Sequence, residues 1–268
     1  MIWQGAVTMK AIKNAMLVLC ILFFVPILFW RLPIEGLQPE VQHTSPSSEP
    51  VAFASNISTA ATGKKVLLFA THSHEAYKPI VKQTAGKSAV YSEQSNILAI
   101  NKKLSEQLNS YGIKSEMLNV DIMAEMKKTG ATFAQSYNAA RSFVEDKIAL
   151  DSYDLIIDVH RDAATYDVTT LKGKENYAKV AFVVGLEHAM YDWNLAYAEQ
   201  LHEELNKLKP GISRGIIKKG GAGVDGIYNQ DLAPQMLLVE LGGIDNSKEE
   251  LDRTLVVLSE AIANILSK

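Results

Sequence analysis

The 268-residue chain holds one cysteine, Cys20, so neither an intramolecular disulfide nor a multi-thiolate metal site can be built from it. Any metal must be held by nitrogen and oxygen. Lys and Arg number 27 against 30 Asp and Glu, a formal charge of −3, and no basic stripe with interleaved aromatics is present, which argues against a nucleic-acid surface. There is no His-Glu-x-x-His pair to mark a zincin protease, and no internal repeat. "KKGGAGVDG" at 218–226 supplies glycines without the spacing of a phosphate loop; it reads as a flexible lip over a cleft. What remains, 47 % hydrophobic and 21 % charged, suffices for one globular domain with a substantial core.

From Ala15 to Trp30 the sequence reads "AMLVLCILFFVPILFW", an uncharged run that at about 1.5 Å per residue nearly crosses a hydrocarbon core of about 30 Å. Lys10 and Lys13 precede it and Trp30 closes it. That pattern predicts a cytoplasmic N-terminus over residues 1–13 and a transmembrane anchor over 14–31, in a single-pass protein of the cell membrane. A cleaved signal peptide is the competing reading, which also exports the domain; no Ala-x-Ala pattern immediately follows the run. Residues 32–63, rich in Ser, Thr, Pro and Ala and without a sustained amphipathic period, read as a flexible linker. The domain beyond, 64–268, is then extracytoplasmic and tethered near the membrane face.

Past Lys64 apolar runs at 66–70, 153–159, 179–185 and 236–240 alternate with helical patterns over about 96–111, 132–150, 190–208 and 248–266. This is an α/β chain. Continuously apolar strands predict a mainly parallel central sheet flanked by helices, with ligands bound beyond the carboxyl ends of the strands. At those ends stand "LLFATHSHE", "LIIDVHRDA" and "MLLVELGGIDN". They bring His72, His160 and Glu240 to one rim from distant parts of the sequence. Two neutral imidazoles and a carboxylate suit a tetrahedral Zn²⁺ with one position open for water, whose pKa the metal lowers to about 7. A further carboxylate must then move the proton to the leaving amine. Other first-row ions suit such ligands as well.

"THSHEAY", "DVHRDA", "IYNQDLAP" and "LLVELGGIDN", in that order behind an apolar segment and a Ser/Pro-rich linker, resemble the stage II sporulation protein P family over about 66–266. That resemblance implies an N-acetylmuramoyl-L-alanine amidase-like fold with one zinc ion and peptidoglycan as substrate. It further implies cleavage of the muramoyl-alanine amide and of stem-peptide cross-links, beside a lytic transglycosylase at the engulfing membrane. Carried onto this sequence, it makes His72 and His160 metal ligands and Glu240 the general base. Related amidases place a ligand Glu just before a helix, where Glu93 stands; the plain alternative is an acid complementing the helix dipole. His74 is an alternative ligand or a rim residue. Glu75 either orients His72 or acts on substrate. Tyr77 belongs to the same motif. Arg161 and Asp162 orient the substrate or the attacking water. Asn229, Gln230 and Asp231 form a polar loop near the site or satisfy a local turn, and Asn246 is a weaker candidate. His188 and His202 read as surface residues. Two other functions fit the same residues: an inactive wall-binding scaffold, and a zinc carboxypeptidase on free peptides.

Overall fold

The computed structural model describes residues 63–268; the N-terminal segment 1–13, the anchor expected over 14–31 and the linker up to residue 62 lie outside them. Among the described residues no helix is long and apolar enough to cross a membrane. In chain order the elements are β1 (Lys65–Phe69), α1 (Lys78–Ala85), α2 (Ile97–Ser110), β2 (Lys114–Met117), α3 (Ile122–Thr129), α4 (Ser136–Leu150) and β3 (Leu155–Asp162). There follow α5 (Tyr166–Thr169), β4 (Thr170–Leu171), β5 (Tyr177–Ala178), β6 (Val180–Gly185), α6 (Tyr191–Leu208), β7 (Ser213–Lys219), β8 (Met236–Gly243) and α7 (Lys248–Leu266). Short 3₁₀ turns occupy Phe133–Gln135 and Gln230–Leu232.

Six strands form one sheet in the order β2-β1-β3-β8-β6-β7. All neighbours are parallel except β6 and β8. The strands expected from apolar runs are the four central ones, and they are buried on both faces, which is why they read as continuous hydrophobic stretches. The two edges escaped that reading. "KSEM" in β2 and "SRGIIKK" in β7 are half-exposed, and an edge strand with charged residues carries no apolar run.

Side chains alternate across a strand, and the alternation decides which residues share a face. On one face Val66, Leu68, Leu155, Ile157, Phe182, Leu237 and Val239 pack against α2, α6 and α7 in the larger core. On the other, Leu67, Phe69, Ile156 and Met236 pack under α3 and α4. Each fully buried Leu, Ile or Phe side chain contributes about 1.5–3 kcal/mol relative to exposure, so both layers hold the sheet firmly. The second face changes character toward the rim. There β3 reads Ile156, Asp158, His160 and β8 reads Met236, Leu238, Glu240, each pair in register.

The register slips just past that point, from His160 opposite Glu240 to Asp162 opposite Gly243. The extra residue on β8 is a bulge, a device common beside active sites. Gly242 serves it: φ is +61°, and a Cβ there would lie 2.8 Å from Asn246 Oδ1 and 2.9 Å from Ala178 Cβ. Asn246 is buried and secures the turn, accepting from Gly243 N–H at 2.7 Å and donating to Thr170 and Glu250 at 2.9 Å. The weak site candidate is thus a structural residue. Helix α7 follows at once, opened by a Ser247/Glu250 capping box that satisfies two otherwise free backbone donors.

The antiparallel course of β6 corrects one expectation. The glycine-rich stretch follows β7, parallel to β6, and packs at the far end of both strands, where Glu187 N–H donates to Gly226 C=O at 2.9 Å. That end lies opposite the rim carrying His160 and Glu240, so the stretch is no lip over them.

Candidate metal centre

Strand β1 ends in a tight turn, closed by Glu75 N–H donating to His72 C=O at 2.9 Å. A turn of this kind brings residues i and i+3 to the same side, so the His-x-x-Glu spacing presents an imidazole and a carboxylate together. His72 Nδ1 lies 3.4 Å from Glu75 Oε1, and His160 Nδ1 lies 3.7 Å from Glu75 Oε2. The two imidazole rings stand 4.9 Å apart and nearly perpendicular. Among the described residues, His72, Glu75 and His160 offer ligand atoms that all lie within 4.8 Å of one another.

The outer nitrogen of each imidazole also faces a polar side chain. His72 Nε2 meets Ser136 Oγ at 3.0 Å. His160 Nε2 lies 3.0 Å from Asp158 Oδ2, off the line of a directed hydrogen bond, so that contact is mainly electrostatic. Asp158 is itself fixed by Thr71, whose N–H and hydroxyl donate to it at 2.9 and 2.6 Å. A carboxylate or hydroxyl on the far nitrogen of a ligand histidine sets its tautomer and orientation. Arg161 N–H donates to Glu75 Oε2 at 2.8 Å, and that bond holds the carboxylate in place.

Electrostatics point the same way. Burial alone would push His160 down, but Asp158, Glu75 and Glu240 outweigh it and hold the imidazole up at about 9. Burial would raise Glu75, yet His72, His160 and the Arg161 N–H keep it below its usual range. Glu240 is raised to about 7, first by burial and then by the Glu75 and Asp162 charges, against His160 and Arg161. Among the described residues its Oε2 is buried without a hydrogen-bond partner. Three carboxylates around two imidazoles thus create a demand for positive charge, and the two-nitrogen, one-carboxylate donor set fits a divalent transition-metal ion.

The model of the stage II sporulation protein P family matches residues 35–263. The chain belongs to that family. Over 213 residues it is 36 % identical to the stage II sporulation protein P of Bacillus subtilis (strain 168), an alignment covering 78 % of this chain and 52 % of the relative. The chain therefore spans about half the length of the curated relative it matches. Among solved structures, the N-acetylmuramyl-L-alanine amidase Ami1 of Mycobacterium smegmatis aligns with a TM-score of 0.44 at 14 % identity, over 78 % of this chain and 99 % of that one. Cwp6 of Clostridium difficile aligns at 0.43 and 18 % identity, over 76 % and 30 %. A metallo-carboxypeptidase of Burkholderia cenocepacia aligns at 0.41 and 13 %, over 76 % and 57 %.

Within this family member, several residues fall elsewhere than expected. Glu93 does not join the imidazoles: it is exposed, pairs with Lys127 at 3.1 Å, and lines an open depression with His74 and Asp121. Glu75 stands in the cluster instead. His74 is held by Asp121 at 2.9 Å and is not in the ligand cluster. The Arg161 side chain leaves β3 on the face opposite His160 and donates to Val90 and Asp162 carbonyls at 3.1 and 3.2 Å. Asp162 pairs with Arg214 and accepts from Ala164 N–H at 2.8 Å. Tyr77 is buried, its hydroxyl donating to Leu241 C=O at 2.7 Å, which anchors β8 one residue past Glu240.

The polar loop is structural. Gln230 bridges Val183 C=O and Gly185 N–H, both at 2.8 Å, Asn229 donates to Tyr137 C=O at 2.9 Å, and Asp231 takes both guanidinium nitrogens of Arg141 at 2.9 and 2.8 Å. His202 bonds Ser213 at 2.8 Å, and His188 is half-buried, its ring nitrogens without a hydrogen-bond partner among the described residues. Sequence reading missed a different set, the aromatic wall. Phe133 stacks on His72 at 4.5 Å, and Tyr137 touches both imidazoles. No local motif announces these residues, because the segment from Phe133 to Tyr137 meets the end of β1 only in the folded chain.

Proposed function

We propose that the chain is a zinc-dependent peptidoglycan hydrolase of sporulation. It cleaves the N-acetylmuramoyl-L-alanine amide, with stem-peptide cross-links as a second substrate, at the outer face of the cell membrane. One observation carries the reading: His72, Glu75 and His160 converge beside the half-buried Glu240, whose sealed Oε2 has no partner among the described residues. His72, Glu75 and His160 hold the ion. When bound, it supplies Lewis-acid polarisation of the scissile carbonyl and a more acidic water. Thr71, Asp158 and Ser136 keep the imidazoles oriented. Glu240 Oε2 takes a proton from the attacking water and gives it to the leaving amine. Full-length protein incubated with intact sacculi should release stem peptides beginning with a free L-alanine amine, identified by mass spectrometry. Bound but undigested sacculi would instead indicate a scaffold. Trimming confined to the carboxyl ends of free peptides would indicate a carboxypeptidase.

The uncharged run at residues 15–30 supports a membrane anchor. External protease on cells stripped of wall should remove the domain and leave a short membrane-protected stub. A soluble protein beginning after Trp30 would establish a cleaved signal in its place.

A further inference from the structure

Tyr137 stands in the first turn of α4, next to the Ser136 that holds His72. Its ring lies 6.2 Å from the His160 ring at an interplanar angle of 24°, and 5.6 Å from the His72 ring at 61°. Tyr228 meets it edge-on from another side at 5.1 Å, with Val183 and Leu238 in the same apolar cluster. Its backbone carbonyl is secured by Asn229. The ring is therefore fixed by several contacts, none of which uses the hydroxyl.

Among the described residues that hydroxyl has no hydrogen-bond partner, and its charged neighbours are Asp158, Glu240 and Glu75. Tyr137 is only half-buried, so its fixed ring leaves the O–H free to meet a partner from outside. Glu240 Oε2, buried nearby, lacks one as well. A spare donor and a spare acceptor beside one ligand cluster, not bonded to each other, mark where a polar group from outside enters. The acceptor suits a proton-bearing water. The donor suits an oxygen that gains negative charge.

We propose that Tyr137 is a catalytic residue, donating its phenol O–H to the carbonyl oxygen of the scissile amide as charge develops there. The assignment rests on the hydrolase reading above. An ordinary phenol keeps its proton far above neutral pH, so the donor is present throughout the working range. A preorganised donor of this kind acts on the transition state, and removing one typically lowers kcat about 10²–10³-fold.

The test is Tyr137→Phe in the full-length protein, which keeps the ring and its contacts. Expected are a kcat loss of about 10²-fold or more, unchanged KM, unchanged zinc content and an unchanged thermal melt. Affinity for a phosphinate analogue of the scissile amide, measured by calorimetry, should fall by a similar factor, because such analogues carry the transition-state charge. An active wild type matched in kcat by Tyr137→Phe overturns the assignment alone. So does a kcat loss accompanied by loss of zinc, which would make the residue a support for the ligands. A wild type that hydrolyses neither sacculi nor muropeptides overturns the hydrolase reading and the assignment with it.

Discussion

Glu75→Gln is expected to strip the metal from the centre, and Glu93→Gln to leave it in place. The first replaces a carboxylate whose two oxygens face His72 Nδ1 and His160 Nδ1 at 3.4 and 3.7 Å. An amide is a poor ligand, and among the described residues the cluster holds only three donors, so losing one should weaken the site severely. Loss of affinity should exceed the 10–100-fold typical of mutating a group that merely supports a ligand. His72→Ala and His160→Ala should lose the ion for the same reason. Glu93 lies in solvent beside Lys127, and an exposed pair of that kind contributes about 0–1 kcal/mol, so its removal should alter neither fold nor metal content. Elemental analysis of the purified variants decides the matter. Full zinc in Glu75→Gln with none in Glu93→Gln would restore the ligand set expected from related amidases.

The cluster contains Glu75 and not Glu93, and that difference shows which parts of the site the sequence makes legible. Strand-end residues were readable because buried parallel strands are unbroken apolar runs, and whatever polar group follows such a run stands at the rim. His72, His160 and Glu240 are placed at the rim that way, and the fold brings them there. Glu75 was also visible in the motif, and its role turned on one local fact, that a turn and not a helix follows β1. In a turn closed by Glu75 N–H and His72 C=O the two side chains serve a single ion. Asp158 was within reach as well, since it lies two residues before His160 and alternation puts both on one face. Arg161, by the same alternation, could have been assigned to the other face. Ser136, Phe133 and Tyr137 could not be found, because they arrive from a helix more than 60 residues away in sequence from His72 or are set by packing alone. The four longer helices offer several turns of pattern to read. The short α1 and α3 do not: each spans eight residues and buries only one or two of them.

Glu240→Gln should separate chemistry from binding at the centre. The side chain is nearly isosteric, and its strand is held independently, by the register with β3 and by the Tyr77 hydroxyl on Leu241 C=O, so the fold should persist. Glu240 is absent from the cluster whose ligand atoms lie within 4.8 Å, so zinc should persist too. What the substitution removes is an acceptor. The glutamine oxygen is too weak a base to take a proton, and the desolvation that raises the carboxyl to about 7 is the kind of tuning that lets a carboxylate act as base and then as acid near neutral pH. A bound cation would draw that value down again, leaving the carboxylate ionised and ready to accept. Hydrolysis of sacculi should therefore fall by about 10²–10⁴, the usual contribution of general acid–base catalysis, with metal content and melting temperature unchanged. If the variant instead loses its zinc, Glu240 is a ligand; if it keeps full activity, the proton is carried by another group, and the spare Oε2 has a different purpose.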